Sequence, residues 1–251
     1  PAGAGAPQQP AFTARTELVR VDVLVTAGGK PVTGLRPDDF EVLDNGVPQA
    51  VELVSFEQLP LNVVLALDLS ESVVGERLAH LTTAGHAVLD GLGPGDQVAL
   101  VSFSHVVRLG AALTTGRRPV QQALGDTWPG GDTSLVDATY AAMMVGESDV
   151  GRALVIVFSD GVDTASWLRP AAVLEIAKRT DVVVYGVSVR GAPTSPFLRD
   201  LAEQTGGRQF EVESTRDLGA AFAGILQEFR QRYVIGYAPD GVPDSGWHPL
   251  N

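Results

Sequence analysis

Residues 61–72 read LNVVLALDLSES. An apolar run, interrupted only by Asn62, breaks into Asp68-Leu69-Ser70-Glu71-Ser72, with Gly75 close behind. A near-continuous aliphatic run of this length reads as a strand covered on both faces, the mark of a parallel sheet. Such a strand leaves the core at a fixed point and in a fixed direction. Asp68, Ser70 and Ser72 therefore stand at its carboxyl end. One carboxylate and two hydroxyls are hard oxygen donors, which suit magnesium or manganese and suit zinc or copper(I) poorly.

The next informative stretches lie further along. A second apolar run, ALVIVF at 153–158, ends in Ser159-Asp160-Gly161. Between the two runs lies Gly130-Gly131-Asp132-Thr133-Ser134-Leu135, a glycine-rich turn leading into a helix. In an open parallel sheet the carboxyl ends of the strands share one edge, and ligands collect there where the strand order reverses. Asp68, Ser70, Ser72, Thr133 and Asp160 are thus expected to meet, although they are far apart in the chain.

From Leu61 onward the runs VVLAL, VALVSF, ALVIVF and VVVYGV alternate with helical segments. Leu78, Leu81, Gly85 and Val88 share one helix face. Leu135, Ala138, Ala142 and Val145 share another, and Leu218, Phe222, Ile225 and Phe229 a third. Strands alternating with amphipathic helices predict a doubly wound α/β fold, a mostly parallel sheet with helices on both faces. FSHVVRL at 103–109 reads as the second half of a hairpin, giving the sheet one antiparallel edge. RQFEV reads as its last strand.

The residues before Leu61 follow another pattern. TELVRVDVLV at 16–25 alternates as a half-buried strand does. Gly28-Gly29-Lys30-Pro31 is a turn, FEVLD a strand, and Asp44-Asn45-Gly46 a strong hairpin signal. A further strand follows at 50–56. This β segment is too small to bury a good core alone, so it is expected to recruit Tyr233-Val234-Ile235-Gly236-Tyr237 from the far end of the chain. The boundaries read as a disordered tail at 1–14, a β segment at 15–58, the α/β domain at 59–230, and a C-terminal strand and tail at 231–251. The sequence stops inside that last unit, as at a fragment boundary.

The order Asp-x-Ser-x-Ser, Gly-x-Thr, and a strand ending in Ser-Asp-Gly resembles the von Willebrand factor type A domain over roughly residues 60 to 230. Residues 18–56 and YVIGYAP look like a bacterial branch of that family named for acidobacteria. The resemblance implies a Rossmann-like type A fold. It also implies a metal-ion-dependent adhesion site using Asp68, Ser70, Ser72, Thr133 and Asp160, with Asp68 and Asp160 acting partly through water. The cation, Mg2+ or Mn2+, would then be under-neutralised and open to an Asp or Glu side chain of a protein partner. Glu71 and Asp132 fall within the motifs as solvent-facing rim charges. Singly, Ser72 would serve as a cap for the helix at 76–90, and Thr133 or Ser134 for the helix at Leu135. Three motifs in family order favour the metal site.

Composition narrows the remaining classes. The net charge of −12, without clustered Lys and Arg, argues against nucleic acid and against an anionic membrane surface. No apolar run approaches the roughly 20 residues of a spanning helix. The absence of cysteine excludes disulfides, thiolate metal sites and a cysteine nucleophile. The N-terminal PAGAGAPQQP reads as the mature start of an exported protein, a disordered tail or a boundary. The resemblance favours export, to an extracellular or periplasmic location. Enzyme signatures are weak. Ser70 stands where an aspartyl phosphotransferase needs a second aspartate, and Gly186-Val187-Ser188-Val189-Arg190 lacks the final glycine of a nucleophile elbow. His80, His86, His105 and His248 show no metal-ligand spacing, and His80 and His86 read as surface residues of a helix. The expected function is non-enzymatic, metal-dependent protein binding. A structural scaffold in a cell-envelope assembly is the alternative, and a metal-dependent hydrolase ranks third.

Overall fold

The computed structural model describes residues 18–55, 59–147, 151–193, 195–243 and 245–251. The expected tail at 1–14 lies outside them, as do residues 16 and 17 of the first strand and Phe56 of the third. The chain divides into two compact units. One is Glu57–Gln231, and the other combines the residues before it with Arg232–Asn251.

The smaller unit begins with Val19–Val23 (β1) and a short ribbon of Thr26–Ala27 (β2) and Lys30–Pro31 (β3). A single 3₁₀ turn at Pro37–Asp39 runs into Phe40, so the strand expected from Phe40 starts only at Val42. Val42–Asp44 (β4) and Val47–Gln49 (β5) form a hairpin, and Val51–Ser55 (β6) follows. Asn45 and Gly46 both have positive φ, 51° and 79°, the two left-handed residues that a tight hairpin turn needs.

The larger unit runs Leu61–Asp68 (β7), Glu76–Gly91 (α1), Gln97–Phe103 (β8), Val107–Thr114 (β9), Arg117–Gly125 (α2) and Leu135–Gly146 (α3). Arg152–Phe158 (β10), Pro170–Ala177 (α4), Val183–Val189 (β11), Pro196–Gln204 (α5), Gln209–Val212 (β12) and Leu218–Arg230 (α6) complete it. Its sheet has the order β12-β11-β10-β7-β8-β9, parallel except for β9. Every residue of β7 is buried, as its aliphatic composition requires. Leu61, Val63, Leu65 and Leu67 pack in one cluster with buried residues of α1 and α6, whereas Val64 and Ala66 pack in another with residues of α3, α4 and α5. The three predicted helix faces enter these two clusters. His80 and His86 are half-buried rather than on the surface, and His80 Nδ1 lies 2.9 Å from Thr215 Oγ1. For His80 the reason is that α6 and the turn before it lie against α1.

The last strand, Tyr233–Tyr237 (β13), belongs to the smaller unit. It pairs antiparallel with β1 on one side and β6 on the other. Tyr233, Ile235 and Tyr237 are buried against Val19, Val21, Val23 and Val42, the apolar face that the N-terminal strands cannot cover alone.

Candidate metal centre

After β7 the chain moves out to β8 and β9, then returns to β10 on the other side of β7. The strand order therefore reverses between β7 and β10; β7 ends there in Asp68, and Asp160 follows two residues after the end of β10. Asp68 closes β7 and is fully buried. Its Oδ1 accepts from the Ser70 amide at 2.9 Å, and its Oδ2 accepts from Ser159 Oγ at 2.7 Å. Burial pushes the Asp68 carboxyl above its ordinary range. The hydrogen bonds from Ser70 and Ser159 pull it part of the way back, and the nearby charge of Asp160 adds to the rise. No ion pair reaches Asp68 among the described residues.

Hydroxyls link this carboxylate to the second one. Ser70 Oγ lies 3.2 Å from Ser72 Oγ, and Ser72 Oγ donates to Asp160 Oδ1 at 2.6 Å. Asp160 Oδ2 accepts from Arg77 Nη1 at 3.1 Å, and the same nitrogen lies 3.2 Å from the Ser72 carbonyl. Backbone bonds lace the three loops together. Gly130 N donates to the Leu69 carbonyl at 2.7 Å, and Glu71 N to the Gly131 carbonyl at 3.1 Å. The Thr133 carbonyl accepts from Thr164 N at 2.8 Å and from Ala165 N at 3.0 Å. Thr133 is buried, and its hydroxyl lies 3.7 Å from the point where a Cβ on Gly161 would stand. Asp68, Ser70, Ser72, Thr133 and Asp160 thus share one edge. Glu71 and Asp132 are exposed beside them.

The capping roles are not taken up. Gly75 is the N-cap of α1, and Ser134, the N-cap of α3, donates instead to the Ser104 carbonyl at 2.5 Å. The Thr133 hydroxyl makes no hydrogen bond among the described residues. Two site residues escape a motif reading. In the parallel register Phe158 faces Leu67, so continuing one step sets Ser159 beside Asp68. Pairing the two strand ends in sequence would have found it. Arg77 carries no motif signal beyond its place in the first turn of the helix after the Asp-x-Ser-x-Ser loop.

The von Willebrand factor type A domain matches residues 62–224. The chain belongs to that family. Inter-alpha-trypsin inhibitor heavy chain H2 of Mesocricetus auratus is 22% identical over 179 residues, covering 65% of this chain and 19% of that protein. The chain therefore spans about a fifth of that relative's length. Among solved structures, proximal thread matrix protein 1 from the mussel byssus, with zinc in its MIDAS motif, superposes with a TM-score of 0.57 at 17% identity, over 72% of this chain and 48% of that one. A von Willebrand factor type A protein from Catenulispora acidiphila gives a TM-score of 0.59 at 14% identity, over 87% and 52%. Identities this low establish the fold alone.

Type A domains hold a divalent cation at the MIDAS, and the donor set here fits one. Among the described residues Asp68 is a buried carboxylate without a cationic partner, and Thr133 offers a hydroxyl with no hydrogen bond. Arg77 already places a positive charge against Asp160. Among the described residues no cluster of three or more His, Cys, Asp or Glu is present, and the candidate donors are two carboxylates and three neutral hydroxyls.

Proposed function

We propose that this type A domain captures an acidic side chain of a protein partner through a divalent cation, Mg2+ or Mn2+, held by Asp68, Ser70, Ser72, Thr133 and Asp160. The reading rests on the convergence of these five residues where the strand order reverses. Bound there, the cation would supply an electrophile for a partner's carboxylate. The chain's own residues orient the donors. Ser159 and the Ser70 amide fix the Asp68 carboxylate, and Asp160 takes the hydroxyl proton of Ser72, so that oxygen faces Ser70 and the site with its lone pairs. The three hydroxyls add no charge, and Arg77 already offsets that of Asp160, so a dication held there would keep a net positive charge.

A protein-facing role is supported by the loops around the site. Val74, Val106, Trp128 and Trp167 project from loops at this edge, and the two tryptophans are 84% and 94% exposed. Solvated aromatics beside a polar site are typical anchors of protein contacts. The loop carrying Trp167 is held in place, since Asp137 Oδ2 accepts from Trp167 N at 2.9 Å and Oδ1 from Leu168 N at 2.8 Å.

Catalysis of its own is not part of this reading. Ser104 Oγ and His105 Nδ1 lie 3.4 Å apart, but they are chain neighbours, the ring is exposed, and among the described residues no third group orients it. Among the described residues no helix is long and apolar enough to cross a membrane. We place the domain outside the cell or in the periplasm, consistent with its adhesion-type site. Calorimetry with manganese is expected to show one site that is lost in Asp68→Ala. Partner binding is expected to disappear in EDTA and return with magnesium or manganese. Changing the partner's key Asp to Asn is expected to weaken it by about 1–3 kcal/mol, the scale of a lost charge-assisted contact. Binding undiminished in EDTA would favour the scaffold reading, and metal-dependent hydrolysis abolished by Asp68→Ala would favour the hydrolase.

A further inference from the structure

Arg77 lies where a fixed positive charge matters most to a cation site. Its guanidinium reaches back from the first turn of α1 to Asp160 Oδ2 at 3.1 Å and to the Ser72 carbonyl at 3.2 Å. The Asp160 side chain is only 4% exposed, whereas that of Arg77 is 56% exposed. A carboxylate this buried is unfavourable without a partner. A half-exposed arginine, by contrast, gives up little hydration to reach it. Asp160 and Ser72 both belong to the candidate ligand set. The arginine thus contacts two of the five positions, and its stem is anchored on the helix that follows them.

We propose that Arg77 is a tethered counter-cation that sets the metal affinity of the site. This rests on the cation-binding reading above. Without metal, its guanidinium neutralises Asp160 and keeps the buried carboxylate paired. A divalent ion entering the site meets a positive charge already committed to Asp160, and must displace or tolerate it. The arginine therefore lowers affinity, so that the site fills only above a threshold concentration of free cation. It also holds Asp160 against Ser72 before the ion arrives, so the carboxylate is in place when it does.

The sign of this effect separates it from a structural ion pair. Removing a fixed charge beside a dication is expected to tighten manganese binding in Arg77→Gln by roughly three- to tenfold, the scale of one screened unit charge acting on a doubly charged ion. Arg77→Lys retains the charge and is expected to stay within about twofold of the unsubstituted protein. The experiment is a calorimetric titration of manganese chloride into the full chain and these variants, with thermal melting in EDTA alongside. Manganese affinity that is unchanged or weaker in Arg77→Gln, while Asp68→Ala still abolishes binding, would overturn the role of Arg77 and leave the metal site standing. An unsubstituted chain that binds no manganese would overturn both.

Discussion

Burial makes the charge on Asp68 costlier in the metal-free fold than in the unfolded chain. Its pKa is raised by burial, so the folded state holds the proton more tightly than the unfolded chain, whose reference value is 3.8. The sign follows from proton linkage. Above the folded pKa the full destabilisation of a buried charge is present; below about pH 4 both states are protonated and it vanishes. Asp68→Asn is therefore expected to raise the melting temperature of the EDTA-treated protein at neutral pH, with the gain fading as the pH falls towards 4. Thermal melts across that range check it. The same substitution should remove manganese binding, so stability and function oppose each other at this residue. Ser159→Ala is expected to act in the other direction. It strips the hydroxyl that donates to Asp68 Oδ2 and destabilises the metal-free protein by about 1–3 kcal/mol, the scale of leaving a buried acceptor unpaired. Denaturant titration in EDTA measures it. All five ligand candidates are readable from the sequence, because strand ends and glycine turns announce themselves in apolar patterning. Ser159 and Arg77 are not read as site residues, because their roles depend on register and on side-chain reach.

At the scale of elements, the loop joining α2 to α3 is shaped by Gly131. Its φ is 84°, and a Cβ there would stand 2.2 Å from His105 Nδ1. Gly131→Ala is expected to cost about 1–3 kcal/mol from backbone strain, before the displacement of His105 is counted. It should also weaken manganese binding, because the Gly131 carbonyl holds the Glu71 amide in the neighbouring loop. Urea unfolding and a manganese titration of that variant test both halves. The strands β7, β8, β10 and β11 stand where the aliphatic runs place them, and the antiparallel β9 follows the hairpin read at 103–109. The segment between β10 and α4 carries no such pattern. Its order comes from tertiary hydrogen bonds, with Ser166 Oγ accepting from Val136 N and Asp137 N and donating to Asp163. Polar side chains meeting a distant helix end leave no periodicity in the sequence. The 3₁₀ turn at Pro37–Asp39 shortens the strand expected from Phe40 for a similar reason, since Asp39 bonds locally to the Arg36 amide at 2.8 Å.

At the scale of the whole molecule, the chain leaves its first β unit, builds the type A domain, and returns to fill that unit with β13. Tyr237 carries the return. Its hydroxyl donates to the buried Asp44 Oδ2 at 2.8 Å, while His248 Nδ1 lies 2.7 Å from the other carboxylate oxygen, without hydrogen-bond geometry. Burial, then the bond to Asp44 and its charge, push the phenol up to about 12. The folded state keeps this proton where the unfolded chain loses it. The contribution is thus complete below pH 10 and is lost as the pH rises to about 12. Tyr237→Phe is expected to destabilise the smaller unit by about 1–3 kcal/mol at neutral pH and to blunt its alkaline unfolding. Its manganese affinity should not change, because the metal candidates all lie in the other unit. The parallel sheet is plain in the sequence, but the place of β13 between β1 and β6 had to be argued from burial, since five apolar residues suit either sheet. The central claim is the convergence of five oxygen donors on one cation, and anomalous scattering from a manganese-soaked crystal tests it most directly. A single strong peak among Asp68, Ser70, Ser72, Thr133 and Asp160, at oxygen distances near 2.1–2.2 Å and absent in Asp68→Ala, is the predicted result. A peak elsewhere, or one that persists in Asp68→Ala, would contradict it.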